Sequence, residues 1–177
     1  MPAIFDHTQK RELEEREISP YLSQHDIYYE YWPVDKVSEE LRHKSALDPL
    51  EQQTLLAAFQ DNVERLSQQH GYISHDLVVL NEASTPNLEE LLHNFERVHH
   101  HHEDEVRFIV DGEGIFTLTR GNDTFSVTVT AGDLISVPAG TEHYFTLTKT
   151  RNVKAIRLFQ TPDGWVAVYQ EDPLETR

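Results

Sequence analysis

Four consecutive histidines, His99 to His102, run directly into Glu103, Asp104 and Glu105, and nowhere else does the chain gather so many metal-ligand side chains. A run in the middle of 177 residues is not a terminal tag. It is either a solvated polar loop that picks up metal by accident or part of a built site, and the spacing decides between them. Side chains alternate along a β-strand, so residues two and four apart share a face. His99, His101 and Glu105 then point one way, and His100 and His102 the other. The opposite register would put Val106 where the carboxylate stands. Two imidazoles with one carboxylate make a mixed nitrogen and oxygen site suited to a divalent transition metal.

A further histidine follows downstream in Gly132-Asp133-Leu134-Ile135-Ser136-Val137-Pro138-Ala139-Gly140-Thr141-Glu142-His143, after an apolar strand and a Pro-x-Gly turn. The two segments read His-x-His-x3-Glu-x6-Gly (His99 to Gly112) and Gly-x5-Pro-x-Gly-x2-His (Gly132 to His143). This pair resembles the linked motifs of the cupins, and the resemblance implies a jelly-roll β-barrel holding one metal through His99, His101, Glu105 and His143. Many cupins carry Asn four residues after the last histidine where this chain has Leu147, but that Asn is not a ligand.

Within the cupins, Glu103-Asp104-Glu105-Val106-Arg107-Phe108, Leu134 to Ala139, Ala155-Ile156-Arg157-Leu158-Phe159 and Gly164-Trp165 are similar to acireductone dioxygenases, in detail from about Asn87 to Val168. The resemblance implies one Fe(II) or Ni(II) per chain, with an acireductone of methionine salvage, 1,2-dihydroxy-3-keto-5-methylthiopentene, and O2 as substrates. With iron the family forms 4-methylthio-2-oxobutanoate and formate; with nickel it forms 3-(methylthio)propanoate, formate and carbon monoxide. The ligand list does not choose between the ions. Val98 departs from the family, which commonly has Glu before the first metal histidine, so metal loading is expected to differ, and the surplus His100 and His102 are one candidate compensation.

Arg107 lies two residues beyond Glu105 and so on the same strand face. It is either a surface salt-bridge arginine or an always-charged partner for an enediolate oxygen, and the resemblance favours the second. Arg157, among apolar residues, is a second anion contact or the partner of an acidic side chain. Asp104 falls on the opposite face; the resemblance gives it a catalytic role in relaying the geometry of the site to a neighbouring loop, against the reading of a solvated turn carboxylate. Glu103 shares the ligand face but is not used by the family. Phe145 and Trp165 would ordinarily be core residues, and the resemblance places them beside the substrate's methylthio tail. His7, His25, His43, His70, His75 and His93 read as exposed or structurally satisfied.

The elements that must position these residues change character along the chain. Asp48-Pro49-Leu50-Glu51 is a helix start, with Leu55, Phe59, Val63 and Leu66 on one face and Gly71 at the end. A second helix is expected from Asn87, its cap pairing with Glu90 and its stripe formed by Leu88, Leu91, Leu92 and Phe95. A third is expected over residues 10–17, stopped by Ile18-Ser19-Pro20. Ile27 to Val34 and Asp76 to Asn81 read as strands. After Arg97 nearly everything is β: strands at 106–110, 114–119, 124–130, 134–137, 143–148, 154–160 and 165–169, with turns at Asp111-Gly112, Gly121 to Asp123, Ala131 to Asp133 and Pro162 to Gly164. The expected class is therefore mainly β with N-terminal helices (α+β), one domain over 1–177, with a helical N-terminal part (roughly 1–96) and a barrel core (roughly 97–170).

Composition narrows the function classes. Cysteine is absent, which removes disulfides and thiolate chemistry and leaves metal ligation to His, Asp and Glu. A net charge of −16 with no basic cluster argues against nucleic acid and anionic membranes. No stretch approaches the length of a transmembrane helix, and the start of the chain lacks the pattern of a signal peptide, so a cytoplasmic protein is expected. The resemblance implies a monomer, and the absence of an apolar heptad seam agrees with it. The competing readings are another metal-dependent cupin, either a different dioxygenase or an isomerase, and a non-catalytic cupin that keeps its metal for stability.

Overall fold

The computed structural model describes residues 2–170, so the outermost parts of the expected 1–177 domain lie outside the described residues. The first part of the chain alternates short strands and helices: β1 (Ala3–Asp6), β2 (Arg11–Glu12), α1 (Glu15–Gln24), β3 (Tyr28–Tyr31), α2 (Glu39–His43), α3 (Pro49–Ala58), α4 (Gln60–His70), β4 (Ser74–Asn81) and α5 (Leu88–Phe95). The rest is β: β5 (His99–His100), β6 (Glu105–Arg120), β7 (Asp123–Thr130), β8 (Asp133–Val137), β9 (Glu142–Leu147), β10 (Asn152–Phe159) and β11 (Val168–Tyr169). All strand pairs are antiparallel, in two layers. One runs β11-β5-β9-β6-β7-β1-β2, and in the other β6 lies between β10 and β8, which in turn pair with β4 and β3. The expected mainly β architecture with N-terminal helices is what forms.

Strand β6 joins the layers. Its first half pairs with β8 and β10, and from Gly114 onward it pairs with β7 and β9. The Asp111-Gly112 turn expected here is instead a bend inside one sixteen-residue strand. The β10 register steps from Lys154↔Asp111 to Ala155↔Ile109, leaving Val110 as the extra residue of a bulge. Gly112 takes φ +76, and a Cβ there would lie 2.1 Å from the Asn152 carbonyl oxygen. Gly112→Ala is expected to lower stability by more than about 2 kcal/mol, through left-handed strain and the backbone clash. Gly121→Ala, also at positive φ (+60) but with nothing within 4 Å, should cost only about 1 kcal/mol in the same denaturation experiment. Equal midpoint shifts would remove the clash from the account.

Both faces of the first half of β6 are buried. Glu105, Arg107 and Ile109 face the barrel interior, while Val106, Phe108 and Val110 pack outward with Trp32, Leu55, Phe59 and Leu66. Phe108 is the pivot of that outer cluster, 4.6 Å from Trp32 and 4.8 Å from Phe59 between ring centroids. The Asp48/Glu51 capping box and Pro49 start α3 as expected, but the single helix read through to Gly71 breaks at Phe59, whose backbone leaves helical geometry as its ring enters the core.

Other local expectations shift for physical reasons. Residues 10–12 are a turn and an edge strand; the helix starts later, behind a Glu14/Glu17 capping box, and runs through Pro20. Pro20 is tolerated because it lies on the exposed side, while Ile18 and Leu22, four residues apart, bury together. Asn87 precedes α5 without a side-chain cap bond. Of the strand expected over 165–169 only Val168–Tyr169 forms, so Trp165 lies outside regular structure.

Candidate metal centre

Each candidate ligand comes from a different stretch of backbone. His99 lies on β5, paired directly with His143 on β9, and Glu105 opens β6. His101 sits in the short irregular segment between β5 and β6, and its carbonyl accepts the Gly140 N–H at 2.8 Å, so the Pro138-Ala139-Gly140 turn is tied to the ligand segment. The four are buried, and their ligand atoms all lie within 4.8 Å of one another. Among the described residues this is the one such group of three or more His, Cys, Asp or Glu.

Hydrogen bonds set the tautomers. Nδ1 of His99 meets the Arg97 carbonyl at 2.6 Å, Nδ1 of His101 the Val166 carbonyl at 3.0 Å, and Nδ1 of His143 the Thr141 carbonyl at 2.8 Å. A carbonyl oxygen only accepts, so each Nδ1 carries a proton and each Nε2 is left to ligate. Glu105 Oε2 lies 3.0 Å from His101 Nε2 and 2.6 Å from His143 Nε2. Imidazole lone pairs facing a carboxylate oxygen require a cation between them, either a proton or a metal ion. The donor set therefore fits a divalent transition ion, with three imidazole nitrogens and one carboxylate oxygen.

Charge follows the same logic. Burial pushes the Glu105 carboxyl up, but His143 and Arg107 outweigh it and hold it well below the usual carboxylate range. Burial pulls His143 down, and Glu105 outweighs that, leaving it raised. His99 is pushed down to about 4, chiefly by burial, so its imidazole is neutral at pH 7. Burial also lowers Arg107, opposed by Glu105.

Arg107 is 4% exposed and donates from Nε to Glu105 Oε1 at 2.9 Å. One ligand carboxylate thus faces the candidate metal position with one oxygen and the guanidinium with the other. The two groups share a cavity of about 360 Å³ with Phe145, Arg157 and Trp165. Over most of this span, residues 23–167, the chain matches the model of the ARD/ARD' family. The chain belongs to that family.

Its relatives in the ARD/ARD' family cover nearly its full length. The chain is 43% identical over 174 residues to the acireductone dioxygenase of Exiguobacterium sibiricum, covering 98% of this chain and 97% of the relative. It is 47% identical over 163 residues to that of Geobacillus thermodenitrificans, covering 91% and 90%. A solved structure of acireductone dioxygenase from Bacillus anthracis, with a cadmium ion in its active centre, superposes with a TM-score of 0.91 at 41% identity, covering 96% and 98%. The resemblance drawn from the two motifs, the cupin architecture and the reading as a metal-dependent dioxygenase are borne out.

Around this ARD/ARD' centre the remaining candidates take definite places. Phe145 packs on Phe116, with the Arg107 guanidinium carbon 4.7 Å from its ring centroid. Gly114 makes room for it, since a Cβ there would meet the Phe145 ring at 2.4 Å. Trp165 lies 5.1 Å from the same guanidinium carbon, and its indole Nε1 is buried with no partner among the described residues. Of the two readings left open for Arg157 the acidic partner is the one seen: it forms a paired contact with Asp76 directly across the β10–β4 register, at 2.8 and 2.5 Å, while also lining the cavity.

Asp104 is not among the cavity-lining residues. Its Oδ1 accepts the Ala139 N–H at 2.9 Å, which ties it to the Pro138–Gly140 turn. Glu103, read as a spare carboxylate on the ligand face, is turned to the chain beyond β10, where Oε2 accepts the N–H groups of Gln160 and Thr161 at 2.8 Å each. Sequence reasoning missed Phe95 and Phe159 as cavity walls. Phe95 read only as a helix-stripe residue, and no local signal separates a wall from a core position. No helix of the described residues is long and apolar enough to cross a membrane.

Proposed function

We propose that the chain performs the reaction for which its curated relatives are named, dioxygenation of an acireductone of methionine salvage, with His99, His101, Glu105 and His143 holding Fe(II) or Ni(II) and Arg107 holding the ionised substrate. The observation that carries this reading is the shared carboxylate, since Glu105 places a fixed guanidinium beside the candidate metal position and inside the same cavity. A divalent ion held there supplies Lewis acidity to an oxygen-chelating substrate and leaves the product branch to the identity of the ion.

The chain's own residues supply the rest. Arg107 favours the enediolate over the enediol by charge, because guanidinium stays protonated even when burial lowers its pKa. Phe145 and Trp165 offer aromatic surface to a methylthio group, for which sulfur–aromatic contact is favourable, and the Trp165 indole N–H can donate to a substrate oxygen. Arg157, fixed by Asp76, adds positive charge to the wall. Asp104 acts at one remove, through the turn that precedes His143. We further read residues 1–177 as one domain, working as a cytoplasmic monomer. Packing of Trp32, Leu55 and Phe59 from the N-terminal third against Val106 and Phe108 of the barrel supports the single domain.

Anaerobic reconstitution of metal-free protein with Fe(II) or Ni(II), followed by acireductone and O2, tests the reading. The expected products are 4-methylthio-2-oxobutanoate and formate with iron, and 3-(methylthio)propanoate, formate and carbon monoxide with nickel. Absence of oxygen uptake with both ions would leave a non-catalytic cupin, and uptake only with another enediol would leave a different dioxygenase.

A further inference from the structure

The buried centre uses alternate residues of the histidine run and leaves two imidazoles on the other side of it. His99 and His101 are each 6% exposed, whereas His100 is half-buried and His102 exposed. The outer rings are neighbours in an edge arrangement, with centroids 5.7 Å apart and planes at 81°. No hydrogen bond or ion pair among the described residues occupies either ring. Three other histidines outside the centre are engaged: His7 with Ser126, His25 with Asp123 and His43 with Asp111.

We propose that His100 and His102 form a second, solvent-facing metal site, separate from the buried centre, which captures divalent ions of the imidazole-preferring class (nickel, copper, zinc or cobalt). An ion about 2.1 Å from one nitrogen of each ring, at tetrahedral or octahedral angles, puts the two centroids about 5 Å apart, within a small side-chain rotation of the observed separation. Two imidazoles without a carboxylate select against magnesium and calcium, which require oxygen ligands. With only two protein ligands, the site exchanges its ion with solvent far more readily than the four-ligand centre. The chain's net charge of −16 raises the local cation concentration around both sites. Because His100 and His102 alternate with His99 and His101, a captured ion is held within a residue or two of the inner ligands, where it raises the effective concentration for loading.

The test begins with full-length protein whose centre has been filled with one equivalent of Ni(II). Further Ni(II) is titrated calorimetrically, and bound metal is measured after desalting with and without imidazole. Wild type is expected to bind a second equivalent that imidazole removes, and the His100→Gln/His102→Gln variant to keep the first equivalent and bind the second at least about tenfold more weakly. With metal-free protein and limiting Ni(II), the variant should fill its buried centre at least about fivefold more slowly. The proposal is overturned by a second equivalent that is absent from wild type or unchanged in the variant, or by equal loading rates. Loss of the first equivalent in the variant would also overturn it, because the outer rings would then be supports of the inner centre. Oxygen uptake by singly loaded protein reports on the dioxygenase reading independently of all these outcomes.

Discussion

Glu105→Gln is expected to abolish stable metal binding and, in the metal-free protein, to lower the melting temperature by about 10 °C. The two losses share one cause. Glu105 is 2% exposed and its two oxygens serve different cations: Oε2 faces His101 and His143, and Oε1 accepts from Arg107. Glutamine keeps the shape but removes the charge, so the buried Arg107 guanidinium loses the carboxylate that compensates it. Breaking a buried pair by removing one partner costs about 3–5 kcal/mol, which for a chain of this size corresponds to a shift of about 10 °C. The metal loss follows separately, since an amide is a far poorer ligand than a carboxylate for a divalent ion. Calorimetry on chelator-treated wild type and variant, with elemental analysis after reconstitution, reads both effects. A metal-free variant that melts with wild type would show that Arg107 finds another counter-charge, and full metal content would remove Glu105 from the ligand set.

The prominence of Glu105 was legible in the sequence because its signal is local. A carboxylate and two imidazoles at even spacing lead into β6, and the expected shared face holds although residues 101–104 lie outside regular strand; the resemblance supplied the barrel interior they face. His143 was legible through the resemblance, as the last residue of the second motif after the Pro138–Gly140 turn. Features set by long-range pairing were not legible. Arg157 meets Asp76 across 81 residues, and which of its two readings held depended on β4 lying beside β10. Glu103 shares the ligand face in sequence, and its actual partners, two N–H groups, come from the chain beyond β10. The Asp111-Gly112 pair shows the limit most plainly. The same residues that close a hairpin also make a bulge, and only the partner strand, with Lys154 opposite Asp111 and Ala155 opposite Ile109, determines which forms.

Arg107→Ala should separate binding of the metal from use of it. Arg107 is not in the ligand group, and removing it relieves Glu105 of a competing cation, so metal content is expected to stay within about twofold of wild type. Turnover, by contrast, should fall about 10²- to 10³-fold, the usual cost of losing one preorganised donor at a developing or fixed oxyanion. With Nε committed to Glu105, the Nη edge is what the guanidinium offers to the cavity it lines. Arg107→Lys restores the charge but not the fork, and one ammonium on a flexible stem cannot hold Glu105 and a substrate oxygen in the same fixed geometry. It should therefore recover only part of the rate. The pH profile distinguishes electrostatic from structural action. If Arg107 favours the enediolate of the bound substrate, the acidic limb of kcat moves to higher pH in the alanine variant and part of the way back in the lysine variant. An unmoved limb with an equal loss of rate at every pH would mean that Arg107 merely fills space beside Phe145 and Trp165. Loss of metal from the alanine variant would make it a support of the centre instead.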